Sequence, residues 1–149
     1  MILYLRVLPG FGLAVEALTR PDLLTHPAVL SDGGERGTVR EVTSLARRSG
    51  VQPGITLAQA KRICPDVLVL MADLAAYNSV WQEICEILGT YTPLVEPVEM
   101  GQAVCDLTGC ERHWPDAITA AQTVQHAVFA ATGILPYLGA ARNRIVAEL

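Results

Sequence analysis

The chain has 149 residues and a formal net charge of −4, and 51% of its residues are hydrophobic while 17% are charged. These totals predict one domain, or one domain with a small insertion, and a sizeable core. No apolar run reaches the roughly 18 residues of a membrane span, and the N-terminus lacks a secretory signal, so we expect a cytoplasmic protein with no membrane partner. The four cysteines form no CxxC pair, which disfavours a zinc site.

The first half of the chain predicts short elements that are separated by proline and glycine. In order they are a strand at 2–8, a short helix at 11–18, a hairpin within 28–43, a helical turn at 44–48, a helix at 52–65 and a strand at 67–71. The Asp-Gly-Gly sequence at 32–34 indicates the hairpin turn, and Thr56 is placed to cap the longer helix.

The second half predicts two long amphipathic helices and three strands. Asp73 and Asp116 are placed to cap the helices, and Gly133 is placed to end the second one. The remaining elements are strands at 94–98, 103–109 and 134–139 and a helix beginning within 141–149. Apolar residues at three- and four-residue steps predict core-facing stripes, formed by Leu74, Tyr77, Trp81, Ile84, Leu88 and Tyr91 in the first helix and by Ile118, Ala121, Val124 and Val128 in the second.

Without residues 20–71, the order of the elements is β-α-β-β-α-β. This is the order of the split βαβ, or ferredoxin-like, α+β fold. We therefore predict a ferredoxin-like domain from residues 1–19 and 72–149, with a small subdomain inserted at 20–71. Many unrelated proteins share this fold, so it does not by itself indicate a function.

The net charge is unevenly distributed. Residues 20–62 contain seven basic and four acidic side chains and carry +3, whereas the remainder carries −7. A basic lobe that faces an anion and an ordinary solvated basic surface both explain this pattern.

Four stretches resemble the motifs of a known family. They are FGLAVEALTRPDLLTHPAVL at 11–30, VTSLARRSGVQPGITLAQAKRICPDVLVL at 42–70, YTPLVEPVEMGQAVCDLTG at 91–109 and GAARNRIVAEL at 139–149. In this order and spacing the chain resembles the Y-family DNA polymerases of the DinB/UmuC type. The resemblance implies a ferredoxin-like palm (1–19 and 72–149) with an inserted fingers subdomain (20–71). It also implies a piece of a longer protein, since the chain stops before a thumb and a little finger.

The chain departs from this family where the family binds metal. Active members hold two divalent ions with acids on the first strand and an Asp-Glu pair in the palm hairpin. By the resemblance these positions fall on Val7 and Pro9 and on Gly101 and Gln102. Mg²⁺ usually requires carboxylate ligands, and none of these four residues supplies one. The resemblance therefore implies a lost Mg²⁺ site, no catalytic residue and no cofactor.

Some phosphate-contacting positions remain basic. Arg47 and Arg144 stand where the family contacts nucleotide phosphates, and Arg48 adjoins the first of them. Each is otherwise an ordinary solvated arginine. Gly12 and Ser44 replace an aromatic residue under the sugar and a tyrosine of the fingers, so we expect weak nucleotide binding at most.

A retained palm without its carboxylates resembles the ImuB group, which are non-catalytic adapters in bacterial mutagenic translesion synthesis. The resemblance implies a nucleoid-associated protein of the SOS DNA damage response that binds DNA weakly through charge. It implies further partners, namely a replicative-type polymerase, a sliding clamp and an accessory protein, which bind regions beyond residue 149. Exposed apolar surface on the last helix would favour self-association of the chain.

Two other functions stay open. The chain is an atypical nucleotidyltransferase if Glu99 and Asp106, with Glu96 nearby, rebuild a metal site. It is a purely structural interaction module if the +3 segment binds no DNA even at low salt, because phosphate contacts are strong at low salt and weaken as salt rises.

Overall fold

The computed structural model describes residues 1–142, except for the side chains of Glu35 and Glu111. Arg144 and most of the helix predicted at 141–149 therefore lie outside the described residues. The chain divides into two compact units, one of Met1–Leu8 together with the residues from Asn78 onwards, and one of Pro9–Tyr77.

The described elements follow the predicted order. The helices are α1 (Phe11–Ala17), α2 (Ser44–Arg48), α3 (Leu57–Ile63), α4 (Leu74–Gly89) and α5 (Ala117–Thr132). The strands are β1 (Ile2–Arg6), β2 (Ala28–Ser31), β3 (Val39–Val42), β4 (Leu68–Met71), β5 (Leu94–Glu99), β6 (Gln102–Asp106) and β7 (Tyr137–Ala141). Short 3₁₀ turns lie at Pro21–Thr25, Gly34–Arg36 and Glu111–His113. No helix within residues 1–142 is long and apolar enough to cross a bilayer.

The first unit is built on a four-stranded sheet with the order β5-β6-β1-β7. All of its neighbouring strands pair antiparallel. Leu3 and Leu5 are fully buried, and their cross-strand partners Cys105 and Ala103 are buried on the same face. This sheet has the split βαβ arrangement, so the predicted α+β, ferredoxin-like class is confirmed.

The second unit is built on a three-stranded sheet with the order β3-β2-β4. β2 and β3 form the predicted hairpin, and β4 pairs parallel with β2. Residues of α2, α3 and the strands share one buried cluster, which consists of Val29, Val39, Val42, Ala46, Val51, Leu57, Ala60 and Cys64. The insertion predicted at 20–71 thus contains a sheet and a hydrophobic cluster of its own.

Local capping signals correctly predict where the helices begin. Thr56 and Gln59 form a reciprocal capping box at the start of α3. The side chains of Asp73 and Asp116 each accept a hydrogen bond from the backbone N–H three residues further on, at 3.1 and 2.7 Å. Gly133, with φ of +80°, ends α5 as predicted.

Two residues that the helical periodicity predicts to be buried are instead exposed. Leu74 is 46% exposed and Ile118 is 70% exposed. Both lie in the first turn of their helix, and burial begins further along, at Tyr77 in α4 and at Ala120 in α5. Periodicity identifies the apolar face of a helix but not the point where its packing partner begins, so the prediction is wrong at these two positions.

Candidate functional site

The end of the first strand and the turn of the palm hairpin meet in the first unit. The backbone N–H of Val7 donates a 2.9 Å hydrogen bond to the carbonyl oxygen of Gly101. Gly101 has φ of +91°, in the left-handed region that favours glycine, as the tight turn between β5 and β6 requires. Val7 is only 5% exposed. Gln102 follows Gly101 and pairs with Arg6, so the structure brings three of the four predicted positions together. Of these, Val7 offers an apolar side chain and Gly101 offers none.

Gln102 is fixed by two neighbouring side chains. Its Oε1 accepts a 2.6 Å hydrogen bond from the hydroxyl of Tyr4, and its Nε2 donates a 2.7 Å bond to Oε1 of Glu99. A glutamate at this position would have no N–H to donate to Glu99. The amide is thus matched to both of its partners.

Glu99 and Asp106 lie at opposite ends of the hairpin. Glu99 pairs with Gln102 across the strands, and Asp106 lies four residues further along β6, which is about 13 Å at the usual rise of a strand. Asp106 accepts a hydrogen bond from the backbone N–H of Thr108 at 2.9 Å, and its hydrogen bonds with Thr108 lower the pKa of Asp106 below its usual value. The described conformation holds the two carboxylates apart and so does not support the alternative in which this pair rebuilds a metal site.

Among the side chains that the structure describes, no three His, Cys, Asp or Glu residues lie close enough together to hold a metal ion.

Pro9 belongs to the second unit, where it precedes the start of α1.

Oε2 of Glu41 accepts a 3.1 Å hydrogen bond from the N–H of Gly12, and its Oε1 accepts a 2.9 Å bond from the N–H of Leu13. The Glu41 carboxylate thus satisfies two donors at the N-terminus of α1, where a negative charge is favourable. No local pattern in the sequence points to Glu41, because its partners lie 28 and 29 positions away along the chain.

The space beside Gly12 is filled. A Cβ atom added there would lie 2.5 Å from Cδ2 of Leu30, 2.9 Å from Cε2 of Tyr77 and 3.0 Å from Oε2 of Glu41. Distances below 3.0 Å require the neighbours to move. An aromatic side chain, which the resemblance places at this position, does not fit the arrangement of this chain.

Tyr77 lies beside Gly12 in the second unit. It is 2% exposed, and its hydroxyl donates a 2.7 Å hydrogen bond to Oε1 of Glu16. Burial raises the pKa of Tyr77 to about 12, and the nearby carboxylates of Glu16 and Glu41 act in the same direction. The hydroxyl therefore stays protonated and acts as a donor to Glu16 at neutral pH.

Arg47 and Arg48 occupy the last turn of α2, and both are exposed. Thr43 anchors the start of this helix, because its hydroxyl donates to the carbonyl oxygen of His26 at 2.8 Å and accepts from the N–H of Ala28 at 2.9 Å. Neither arginine forms an ion pair with any residue in the described part of the chain. Both guanidinium groups are thus available to an external anion.

The chain matches the impB/mucB/samB family over residues 8–149, which is nearly its whole length. The chain belongs to this family. Similar proteins include the DNA polymerase IV of Gluconobacter oxydans, 32% identical over 140 residues, and that of Alkalilimnicola ehrlichii, 30% identical over 141 residues. Both alignments cover 94% of this chain, but only 39% and 40% of the relatives. The chain therefore spans about two fifths of the relatives that it matches.

Solved structures show the same fold. DinB from Sulfolobus solfataricus superposes with a TM-score of 0.87 at 22% identity, over 99% of this chain and 43% of DinB. A Y-family DNA polymerase chimera of Dbh and Dpo4 gives a TM-score of 0.88 at 20% identity, over 99% of this chain and 44% of the chimera. The predicted resemblance to the palm and fingers of Y-family polymerases is confirmed, whereas membership of the ImuB-like subgroup stays a prediction.

Proposed function

We propose that this chain is a non-catalytic member of the Y family that acts as an adapter in translesion DNA synthesis. The observation that carries the proposal is the state of the palm hairpin. Val7 is packed and hydrogen-bonded to the Gly101 turn, and Gln102 is engaged by Tyr4 and Glu99. None of the three positions offers a carboxylate to a hard cation, and two-metal phosphoryl transfer depends on such ligands.

The second unit supports the proposal independently. Leu30, Tyr77 and Glu41 fill the space beside Gly12. The Glu41 carboxylate also places a negative charge at the start of α1, which would repel the phosphates of a nucleotide. Weak nucleotide binding is the expected consequence.

The proposed partners begin with DNA. Two of the similar structures are described as an insertion ternary complex and a ternary complex of Dbh DNA polymerase. For this chain we propose weak, charge-driven DNA binding through Arg47 and Arg48, with Arg144 as a further contact. A partner polymerase, a sliding clamp and an accessory protein would bind beyond residue 149, in the bacterial cytoplasm. Within this chain, the palm would consist of residues 1–19 and 72–149, and the fingers subdomain of residues 20–71.

Active polymerisation is the second candidate function. Its support is the 32% and 30% identity to proteins named DNA polymerase IV. It requires metal ligands other than the pair Glu99 and Asp106.

Primer extension by the longest product of the gene, with Mg²⁺ and then Mn²⁺, separates the two candidates. DNA polymerase IV of Gluconobacter oxydans serves as the active control. The adapter function predicts no incorporation together with DNA binding that weakens as salt rises. Incorporation that follows the protein through purification would overturn it, and an absence of DNA binding at low salt would favour the purely structural module.

A further inference from the structure

The outer edge of β4 is an apolar strand edge. β4 lies at the end of the sheet β3-β2-β4, and its pairing with β2 runs from Leu68 to Met71 without a register shift. Residues 67–71 read Val-Leu-Val-Leu-Met and contain no charge, glycine or proline. Leu68 is 43% exposed and Met71 is 53% exposed. An edge of this kind is a template for the addition of another strand.

Two other sheet edges of the described chain are protected. The outer edge of β3 is covered by the following loop, since the N–H of Val39 donates to Ile55 O and the N–H of Gly54 donates to Val39 O, both at 2.8 Å. The outer edge of β5 contains Pro97 and two glutamates, and its register shifts between Pro97 and Glu99. Proline, charge and bulges are devices that prevent strand addition, and β4 has none of them.

The backbone of β4 is oriented for such an addition. The N–H of Leu68 donates to Pro27 O at 2.9 Å, and the N–H of Ala72 donates to Ser31 O at 2.8 Å, both on the side of β2. Because alternate residues of a strand direct their backbone groups to opposite sides, Val69 and Met71 direct theirs outwards. Val69 is held in place by packing against the buried cluster of the second unit.

Acidic residues flank the strand at both ends. Asp66 and Asp73 are exposed, and neither forms an ion pair with any residue among 1–142. A second copy of this chain fits poorly, because the antiparallel register that pairs Val69 with Met71 of the other copy would place Asp73 opposite Val67 and therefore beside Asp66. An incoming strand with basic residues at both ends would be attracted instead.

We propose that β4 is a docking edge for an extended segment of a partner protein. This segment has a strand of about five residues with at least one apolar face, flanked by lysine or arginine, and it extends the sheet β3-β2-β4 by one strand. The inference goes beyond the proposed function, because the edge is present whether or not the chain supports DNA synthesis.

The test uses two synthetic peptides, Lys-Lys-Val-Thr-Val-Thr-Val-Lys-Lys and the same strand flanked by glutamates. We expect the basic peptide to bind on the order of tenfold more tightly at low salt, with its largest amide NMR shifts at Val69 and Met71. Equal binding of the two peptides, or no binding of either, would overturn the proposal. The double variant Asp66→Asn/Asp73→Asn, which keeps a capping side chain at position 73, should remove the preference for the basic peptide.

Met71→Pro removes one outward N–H at an exposed position and should weaken binding of the basic peptide on the order of tenfold. Met71→Ala is the control, because it keeps the N–H and should bind the peptide normally. If Met71→Pro does not fold, the basic peptide is instead N-methylated at alternate residues. This removes peptide N–H groups that would pair with β4 and should weaken binding in the same way. Unchanged binding in either experiment contradicts strand addition. If the unmodified chain forms dimers and Met71→Pro abolishes them, the edge binds a second copy of this chain. The proposed partner segment would then be wrong.

Discussion

The hydroxyl of Tyr4 lies 2.6 Å from Oε1 of Gln102, and this hydrogen bond joins β1 to β6 across 98 positions of the chain. It orients the amide so that Nε2 faces Glu99 at 2.7 Å. Only a side chain with both an acceptor and a donor satisfies these two neighbours. The amide at position 102 is therefore a structural part of the hairpin, and it stands where the family resemblance places a metal-binding carboxylate.

Gln102→Glu should destabilise the chain by on the order of 1 kcal/mol at pH 7, because it removes a donor and places a second carboxylate beside Glu99. The like charges raise the apparent pKa of the pair in the folded state. Stability should consequently recover as pH falls through that raised value, since the folded state then binds a proton more readily than the unfolded state. Urea unfolding at several pH values measures this.

Gln122→Glu is the matched control for this variant, because it makes the same change at an exposed position of α5. It should change stability little at any pH. A Gln102→Glu variant as stable as the parent at pH 7 would show that the hydrogen bonds of the amide contribute nothing. If added Mg²⁺ stabilised that variant, the hairpin would still be able to receive a cation.

Gly12→Ala should destabilise the chain by about 1–3 kcal/mol, because the new methyl group collides with Leu30 and Tyr77. The expected sign is opposite to the usual effect of alanine in a helix, which is stabilising. Gly89→Ala is the control, since Gly89 lies at the end of α4 and a Cβ there meets nothing within 4 Å. Thermal unfolding of both variants measures the change in stability. A Gly12→Ala variant as stable as the parent would mean that the space beside position 12 is open.

Tyr77 should be one source of an alkaline loss of stability. Its pKa is raised to about 12 in the folded chain, compared with about 10 for an unperturbed tyrosine. The stability that this difference provides is fully present below pH 10 and is lost as pH rises from 10 to 12. Ultraviolet titration of the folded protein should show one late-ionising phenol, which Tyr77→Phe removes and Tyr137→Phe, at an exposed position, does not. A late phase that persists in Tyr77→Phe would contradict the assignment.

The features that sequence analysis predicted correctly depend on local signals. Thr56, Asp73 and Asp116 are capping residues whose partners lie three positions away, so the sequence alone indicates the helix starts. Alternation and turn residues likewise predict the strands, and the order of elements indicates the ferredoxin-like unit. Where packing begins along a helix depends on tertiary contacts, which is why Leu74 and Ile118 were predicted wrongly.

The contents of the site were less predictable. The family resemblance located Val7, Gly101 and Gln102, but it gave no indication that Tyr4 and Glu99 hold Gln102 in place. The contact of Glu41 with the start of α1 depends on the packing of β3 beside α1, and no periodicity in the sequence reports it. Long-range side-chain contacts of this kind follow from the tertiary fold rather than from local pattern.

Arg47 and Arg48 should account for part of the salt dependence of DNA binding. The double variant Arg47→Gln/Arg48→Gln removes both charges and keeps the helix propensity of α2. It should reduce the slope of log affinity against log salt by roughly 0.7–0.9 for each lost phosphate contact. Arg20→Gln/Arg36→Gln makes the same change in net charge at exposed positions of the same unit and should leave the slope nearly unchanged. Anisotropy titrations with single-stranded and duplex DNA at several salt concentrations give both slopes. Equal reductions in the two variants would mean that binding follows net charge alone, and the phosphate contacts proposed at the end of α2 would then be wrong.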